Sequence, residues 1–400
     1  MTADIELLSP AGDRERLELA LLYGADAVYL AGKAYGMRSA AANFDDAALA
    51  EAVQLVHAQG KKLYVTVNTL PLEEELSALP GYLEYLQEIG VDALIIADLG
   101  VLSLAARYAP RLARHVSTQF GVVNSAAAEA LYELGADTVV LARETKLEDI
   151  RRIRQNTPPE LRLEVFVHGA MCVSFSGRCL LSNYMTGRDA NRGQCAQPCR
   201  WKYHLVEEKR PGEFFEISED GGTYIMNSRD LRLIEHLPAL IEAGVSSLKI
   251  EGRMKSAYYT AAITNAYRHA LDAALTGKAL DPCWVEETEK LSHRPYSTGF
   301  LFGEPGQYTK DALYQSRAEI AAIVVACEAD GLALLSQRNK LCPGDRLELL
   351  LPGEKALAFS AAELWDEQGT PITDTRVAMM PFRMRLPVCA PRGAIVRKLL

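Results

Sequence analysis

Four of the eight cysteines in this 400-residue chain lie in one short stretch, and cysteine thiolates bind soft metals and iron–sulfur clusters. They are Cys172, Cys179, Cys195 and Cys199, with six, fifteen and three residues between them. Structural zinc sites usually pair cysteines about two to four residues apart, and only Cys195 and Cys199 meet that spacing. The irregular spacing favours a [4Fe-4S] cluster, because loops from different places can reach its larger cage. Tetrahedral zinc and free thiols stay open as alternatives.

Basic and aromatic side chains surround these cysteines along the sequence. They are Arg178, Tyr184, Arg188, Arg192, Arg200, Trp201, Lys202 and Tyr203. Cationic groups contact a phosphate backbone and aromatic rings stack on an unpaired base, so this pattern is typical of a surface that binds single-stranded RNA. We expect Arg188, Arg192 and Arg200 to bind the substrate. An exposed, solvated loop is the alternative.

The bulk composition is that of an ordinary globular protein. The net charge of −9 argues against broad, non-specific binding of nucleic acid, although it leaves room for a local basic groove. No apolar run approaches the roughly 20 residues of a transmembrane helix, and the first residues lack the features of a signal peptide. The sequence therefore predicts a cytoplasmic protein that does not bind a membrane.

The other four cysteines, Cys283, Cys327, Cys342 and Cys389, are scattered along the sequence in apolar or turn contexts. A reducing cytoplasm does not favour a structural disulfide framework. We therefore interpret these four residues as small, buried hydrophobic side chains.

A repeated pattern of a glycine followed by an apolar run organises the first 253 residues. Gly24, Gly90, Gly135 and Gly244 each fit a helix C-cap, and each precedes a run typical of a strand buried on both faces. The predicted strands are residues 6–9, 27–30, 62–67, 93–97, 115–119, 138–142, 162–167 and 247–251. Eight strands that alternate with helices predict an α/β fold, a (β/α)8 TIM-like barrel. An open, doubly wound sheet is the alternative, but no Gly-x-Gly-x-x-Gly follows the first strand.

One long insertion interrupts the barrel pattern. It covers residues 169–227 after strand seven and carries the four clustered cysteines, so we expect it over the C-terminal ends of the strands. A helix is predicted over residues 228–243. We assign residues 1–307 to the barrel with its insert. Residues 308–400, where short β runs alternate with turn signals, are assigned to a small all-β, barrel-like domain.

Polar residues at the ends of the strands are the candidates for catalysis, because barrel enzymes place their active sites there. Asn68, Gln119, His168 and Glu251 lie at or just after the ends of strands three, five, seven and eight, and we predict that they are catalytic. His168 would donate a proton close to the cysteines, with a hydrogen-bonded turn histidine as the structural alternative. The structural alternative is that Asn68, Asp98 and Gln119 cap helices or satisfy loop amides.

Two arginines also follow predicted strands. Arg143 and Arg253 could bind a small carboxylate co-substrate, because a guanidinium group pairs with a carboxylate in a bidentate manner. Alternatively, Arg253 and Glu251 could form a structural ion pair at the barrel rim.

Four sequence motifs carry a resemblance. They are Glu164-x-Phe-x-x-Gly-Ala-Met-Cys172-x4-Gly-x-Cys179-x-Leu-Ser182, Asn191-Arg-Gly-x-Cys195-Ala-Gln-Pro-Cys199-Arg200, Leu8-Ser-Pro-Ala-Gly12 and Lys249-Ile-Glu-Gly-Arg253. Over essentially the whole chain, this sequence resembles peptidase family U32, the collagenase-like proteins. The resemblance implies a barrel core and a [4Fe-4S] cluster on the clustered cysteines. It also implies oxygen-independent hydroxylation of RNA or quinone precursors, with prephenate linked to the oxygen supply.

Within that family the chain looks most like the tRNA branch, because it carries a β domain and is shorter than the ribosomal-RNA branch. The resemblance then implies that wobble uridine is hydroxylated at C5 to 5-hydroxyuridine. Its partners would be the anticodon loop of tRNA, a small carboxylate co-substrate such as prephenate, and an electron donor. The alternatives are rRNA hydroxylation, a collagenase-like metal-dependent peptidase, and a non-catalytic RNA-binding protein with a structural metal. The sequence contains neither the His-Glu-x-x-His zinc motif nor the Gly-x-Ser-x-Gly motif of serine hydrolases, so no such motif supports the peptidase alternative.

Overall fold

The computed structural model describes residues 5–37, 43–172, 174–201, 228–306, 308 and 314–400, and the backbone alone of residues 205–206 and 214–215. Lys202, Tyr203 and part of the predicted insert lie outside the described residues. The first compact unit comprises Met1–Leu17, Ala25–Lys255 and His293–Tyr314, and the second comprises Glu18–Gly24, Ser256–Ser292 and Gln315–Leu400. The domain boundary at residue 308 stays a prediction. Among the described residues, no helix has both the length and the apolar character needed to cross a membrane.

The described strands of the first unit comprise eight that form a closed parallel barrel, two that extend its sheet and two that form a separate two-stranded sheet. They are β1 (Glu6–Pro10), β2 (Ala27–Leu30), β3 (Lys62–Val67), β4 (Ala93–Ile96), β5 (Ala113–Val116), β6 (Thr138–Val140), β7 (Arg162–Gly169), β8 (Leu205–Val206), β9 (Phe214–Phe215), β10 (Asp230–Arg232), β11 (Ser247–Ile250) and β12 (Tyr296–Ser297). Strands β1 to β7 pair in chain order, and β11 pairs in parallel with both β1 and β7, which closes the barrel. Strands β10 and β12 extend the barrel sheet, and β8 and β9 pair with each other. The predicted TIM-like barrel is confirmed.

Helices alternate with the barrel strands. They are α1 (Arg14–Leu22), α2 (Asp46–His57), α3 (Leu79–Glu88), α4 (Leu99–Tyr108), α5 (Ser125–Glu133), α6 (Leu147–Gln155), α7 (Leu181–Thr186) and α8 (Leu237–Glu242). Asp98 caps α4, because its side chain accepts a hydrogen bond from the Val101 amide at 3.0 Å. The capping alternative is therefore correct for Asp98.

Two differences between the predicted and the observed bounds bear on the site. The predicted helix over residues 228–243 is wrong in its first half, because Asp230–Arg232 pair with β7 and β12 as strand β10. Strand β5 ends at Val116 rather than at residue 119. Ser117 accepts a hydrogen bond from the Gln119 amide and begins a 3-10 turn, which ends with Gly121 in the left-handed region at φ 70°. The turn places Gln119 in the loop that follows the strand.

The barrel interior combines an apolar cluster with buried charge. The apolar members are Leu8, Ala27, Tyr29, Tyr64, Ala93 and Ile95. Lys249 Nζ lies 2.7 Å from Glu164 Oε1, and the two side chains are 4% and 0% exposed. Burial acts to raise the pKa of Glu164, but Lys249 and His115 together hold that pKa below its ordinary value. This buried pair therefore depends on both partners being present.

The second unit contains helices α9 (Ala257–Leu275) and α10 (Pro282–Glu289) and an antiparallel sheet. Its strands are β13 (Ala318–Cys327), β14 (Leu332–Gln337), β15 (Arg346–Leu350), β16 (Leu357–Ser360), β17 (Leu364–Asp366), β18 (Pro371–Ile372), β19 (Pro381–Arg385) and β20 (Ile395–Leu399). They are ordered β16-β15-β20-β13-β14-β19-β17-β18. The prediction that the scattered cysteines are buried is wrong, because they occupy element ends and turns. Cys389 is exposed, and Cys283, Cys327 and Cys342 are half-buried.

Candidate functional site

Two of the predicted catalytic residues meet at the C-terminal ends of the barrel strands. Asn68 follows β3, and its Nδ2 donates a hydrogen bond to Gln119 Oε1 at 3.0 Å. The Met37 amide donates to Asn68 Oδ1 at 2.9 Å, and Ser117 Oγ donates to Gln119 Oε1 at 3.2 Å. Both amide side chains are half-buried and fixed in orientation at the barrel mouth.

Arg143 and Glu251 meet across the same mouth. Arg143 Nη2 lies 3.3 Å from Glu251 Oε2, and Nη1 donates to the Ala170 carbonyl at 2.8 Å. The guanidinium group lies over the Phe166 ring, with its carbon 4.0 Å from the ring centroid. The arginine is therefore held flat and partly desolvated.

Arg253 is directed into the barrel wall. Its side chain is buried, Nη1 donates to Thr66 Oγ1 at 2.9 Å, and Nη2 donates to the Met37 carbonyl. These contacts tie the loop after β2 to the end of β11. The role of Arg253 in binding a carboxylate stays a prediction.

His168 lies near the end of β7 and is buried. Its Nε2 is 3.5 Å from the Tyr296 hydroxyl, and the His293 ring stacks on Tyr296 at 4.1 Å. Burial, with the charges of Arg232, His293 and Lys255, lowers the pKa of His168 well below its ordinary value. The imidazole is therefore neutral near pH 7.

A buried ion pair holds the chain just before Cys172. Arg294 Nη2 and Nε donate to Asp230 Oδ1 at 2.7 and 3.0 Å, and the pair is almost completely buried. Ser228 Oγ donates to the Met171 carbonyl at 2.7 Å, and Arg294 Nη2 approaches the same carbonyl at 3.3 Å. Residues far apart in sequence thus fix the start of the cysteine insert.

The insert also docks on the strand ends through Ser176 and Gly177. Ser176 donates to both carboxylate oxygens of Glu144, through its amide at 3.0 Å and its hydroxyl at 2.8 Å. Gly177 has φ +72°, and a Cβ atom there would lie 2.6 Å from the Gln119 Cα and carbonyl oxygen. Only glycine permits this approach with that backbone conformation. The contact brings the insert onto the predicted catalytic amides.

The four clustered cysteines are neighbours in space. Burial raises the pKa of the Cys199 thiol, the thiols of Cys172, Cys195 and Cys179 add to the rise, and Arg200 acts against it. Cys172 and Cys195 are exposed, and Cys179 and Cys199 are half-buried. The four thiols therefore form one group that a small oxidant or a metal can reach.

Backbone and side-chain hydrogen bonds shape the loop around these sulfurs. The Gln197 amide donates to Cys195 Sγ at 3.4 Å, with Gln197 itself in the left-handed region at φ 59°. Asn191 Nδ2 donates to the Cys179 carbonyl at 3.2 Å, and the Ala196 amide donates to Ser182 Oγ at 3.0 Å. An amide directed at a sulfur stabilises the thiolate form, which is the form that binds metal.

The donor set consists of four thiols, which are the ligands of soft metal groups. No three or more His, Cys, Asp or Glu side chains in the described part of the chain are grouped to hold one metal ion. One tetrahedral zinc would need sulfurs roughly 3.8 Å apart, because each Zn–S bond is about 2.3 Å. A [4Fe-4S] cage would hold its four thiolates farther apart, because each of them binds a separate iron atom.

The predicted substrate-binding arginines of the insert differ in their surroundings. Arg192 makes a bidentate pair with Glu75, at 3.0 and 2.7 Å, and Arg200 Nη1 donates to the Tyr314 hydroxyl at 2.8 Å. Arg188 is exposed. Tyr184 is 87% exposed and Trp201 42%, so both rings have faces open for stacking.

The sequence matches Peptidase family U32 over residues 12–311 and the family's C-terminal domain over residues 316–397. The chain belongs to peptidase family U32. The U32 resemblance that the cysteine motifs predict is confirmed.

Three U32 relatives cover most of this chain. tRNA hydroxylation protein P1 of Bacillus subtilis is 37% identical over 393 residues, which are 96% of this chain and 93% of that protein. tRNA hydroxylation protein P of Escherichia coli is 38% identical over 391 residues, 87% of this chain and 86% of that protein. 23S rRNA 5-hydroxycytidine C2501 synthase of Escherichia coli is 36% identical over 364 residues, 84% of this chain but 53% of that protein.

The sequence did not predict the residues that contact His168 and Met171. Tyr296, Arg294 and Asp230 surround His168 and Met171, yet none of them follows a barrel strand at which the prediction looked. The one available signal was the cluster of His293, Arg294 and Tyr296 around a proline, in a stretch for which the sequence predicts no functional role.

Proposed function

We propose that this chain hydroxylates RNA and that its substrate is tRNA. The observation that carries the proposal is its similarity to two proteins named as tRNA hydroxylation proteins, over 93% and 86% of their lengths. The similarity to the rRNA hydroxycytidine synthase covers only 53% of that protein. A chain that corresponds to almost the whole of the tRNA proteins is the better match to their reaction.

The finer proposal is that wobble uridine is hydroxylated at C5 to give 5-hydroxyuridine. A base in a single-stranded anticodon loop can leave its stack at little cost and enter a mouth lined by polar side chains. The open faces of Tyr184 and Trp201 suit the stacking of neighbouring bases, and the exposed Arg188 suits a phosphate. Arg192 and Arg200 would add charge along the same path.

Cys172, Cys179, Cys195 and Cys199 would hold a [4Fe-4S] cluster at the rim of the mouth. Such a cluster supplies one-electron redox chemistry when bound. The chain's own contribution is to fix the loop: the Gln197 amide contacts Cys195 Sγ, and Arg294 and Ser228 hold the Met171 carbonyl. An electron donor is then a required partner.

Arg143 would bind the carboxylate of a small co-substrate such as prephenate. Its distance of 3.3 Å from Glu251 is longer than the roughly 2.7–2.9 Å of a strong charge-assisted hydrogen bond. A ligand carboxylate could therefore replace Glu251 while Ala170 and Phe166 keep the guanidinium group in place. Asn68 and Gln119 would then orient the uracil edge by hydrogen bonds.

His168 would accept a proton rather than donate one. Hydroxylation replaces the C5 hydrogen of the uracil ring with a hydroxyl group. For this step to balance, the oxygen-donating co-substrate must accept two electrons while the C5 hydrogen leaves as a proton, which a base takes up. Burial keeps His168 neutral, so its Nε2 could accept a proton through the Tyr296 hydroxyl at 3.5 Å and, because the lowered pKa makes it a weak base, pass that proton on at once. The proposed role is opposite to the one predicted from the sequence, in which His168 donates a proton.

The experiment that tests the substrate is a nucleoside profile of tRNA from a strain that lacks this gene. We expect 5-hydroxyuridine and its derivatives to fall, and a plasmid copy of the wild-type gene to restore them. Cys172→Ser should fail to restore them, whereas Cys283→Ser, which changes a cysteine outside the insert, should succeed.

The same strain separates the alternatives. The deletion should be made in a strain without a second hydroxylating enzyme. If the tRNA profile is then unchanged and a hydroxylated rRNA nucleoside is lost, rRNA is the substrate. Gelatin cleavage by the purified protein that survives Cys172→Ala would favour a peptidase that does not depend on the cluster.

A further inference from the structure

Cys327 and Cys389 are 62 residues apart in sequence and adjacent in the structure. Cys327 is the last residue of β13, and Cys389 lies in the loop before β20. Strands β13 and β20 pair in antiparallel register, with Ile323 opposite Ile395. The chain before β20 therefore passes the end of β13, and Cys389 Sγ donates to the Cys327 carbonyl at 3.8 Å.

The Cys327 side chain lies along the same stretch of backbone. Its Sγ donates a hydrogen bond to the Glu328 carbonyl at 3.6 Å, one residue past the Cys327 carbonyl that Cys389 Sγ contacts. Burial raises the pKa of Cys327, the Ala390 amide acts against this rise, and the Cys389 thiol adds to it. Because the Cys389 sulfur contacts the backbone of Cys327, the two side chains start from neighbouring positions, which a disulfide requires.

The other two cysteines of the second unit have different neighbours. The Cys283 thiol lies beside the carboxylate of Asp281, and the Cys342 amide donates to Asp345 at 2.9 Å. Among the second unit's cysteines, the structure therefore brings one pair together, at a place where Cys389 is exposed to small reagents.

We propose that Cys327 and Cys389 form a reversible disulfide, which makes this edge of the β sheet a redox modification site. Hydrogen peroxide would oxidise the exposed Cys389 thiol to a sulfenic acid, with release of one water molecule. The Cys327 thiol would then attack that sulfur, form the S–S bond and release a second water molecule. Two thiols are oxidised, one peroxide is reduced to water, and a small thiol such as glutathione reverses the reaction.

The disulfide would join the end of β13 to the loop before β20 and close the segment that contains β14 to β19. Such a cross-link restricts the unfolded chain and the opening of this sheet edge. The proposal is independent of the proposed RNA chemistry, because it concerns cysteines of the second unit alone.

The test is peptide mapping of the full-length protein, purified without oxygen and treated with dilute hydrogen peroxide. Free thiols are then blocked with iodoacetamide and the chain is digested without reductant. We expect a linked peptide that contains Cys327 and Cys389, and its loss after dithiothreitol. Cys283 and Cys342 serve as internal controls and should stay alkylated.

Single variants give a second measurement. In Cys389→Ser, Cys327 should remain alkylated at peroxide levels that cross-link the wild-type pair, and its far-ultraviolet circular dichroism should match the wild type. The proposal is overturned if Cys327 and Cys389 are recovered separately alkylated from wild-type protein, at peroxide levels that oxidise the insert cysteines.

Discussion

The barrel interior and the cysteine insert belong to the same unit but hold their reactive side chains in opposite ways. In the interior, Lys249 and Glu164 are almost completely buried and neutralise each other at 2.7 Å. In the insert, Cys172 and Cys195 are exposed, and the loop docks through small contacts such as that of Gly177 with Gln119.

This difference shows that the barrel interior needs no ligand, whereas the cysteine insert is suited to bind one. A buried ion pair is satisfied by the chain itself, whereas four neighbouring thiols repel each other once ionised and are stabilised by a metal group. We therefore expect changes in the interior to alter the stability of the fold, and changes in the insert to alter cluster binding.

The largest expected effect is that of Lys249→Met. The change leaves the Glu164 carboxylate buried without its cation, which should cost about 3–5 kcal/mol of unfolding free energy. Chemical denaturation would measure it. Adding Glu164→Gln to Lys249→Met should recover part of the loss. A single variant within about 1 kcal/mol of wild type would mean that the pair is not buried as described.

The interior should also make stability depend on pH through His115. Burial lowers its pKa to about 3, with smaller effects from Glu164, Lys249, Arg162 and Lys62. A histidine whose pKa is lower in the folded state stabilises the fold above its unfolded-state pKa, which is near 6.5. That stabilisation is lost as the pH falls towards the folded-state pKa. Between pH 7 and 5 the loss should be about 2 kcal/mol. His115→Leu should flatten this part of the stability profile; an unchanged slope would contradict the assignment.

The matched pair Gly177→Ala and Gly187→Ala tests the docking of the insert. Both glycines have positive φ, +72° and +69°, so each alanine should cost about 1–2 kcal/mol of backbone strain. Only at Gly177 would the new Cβ meet Gln119, since nothing lies within 4 Å of it at Gly187. Gly177→Ala should therefore lose most of its bound iron and Gly187→Ala should keep it. Equal iron contents in the two variants would show that the contact with Gln119 does not position the cysteines.

The smallest expected effect is that of Arg192→Lys. It removes the bidentate geometry with Glu75, but both side chains are about a third exposed. We expect the unfolding free energy measured by urea denaturation to fall by less than about 1 kcal/mol, and by less still at high salt. Arg188→Lys is the control, because Arg188 is exposed. A loss above about 2 kcal/mol at Arg192 would place this ion pair among the buried, structural ones.

The sequence predicts the parts of the site that follow a regular element. Asn68, Gln119, His168 and Glu251 could be placed at the mouth because each follows a recognisable apolar run, and the barrel brings the ends of such runs together. The cysteine group was recognisable from residue type and spacing alone.

Partnerships between distant residues could not be predicted in this way. Asp230 and Arg294 are 64 residues apart, and Cys327 and Cys389 are 62 apart. Periodicity tells which face of an element a residue occupies but not which distant residue lies opposite. Asp230 also lies in a stretch where a helical pattern was overridden by pairing with β7 and β12.

The most direct test of the central claim is the metal content of the full-length protein purified without oxygen. We expect a brown protein with broad absorbance near about 400 nm and about four iron atoms per chain, both lost in Cys172→Ser. A colourless protein with about one zinc per chain would contradict the account, because the four cysteines would then form a structural site rather than a redox cluster at the barrel mouth.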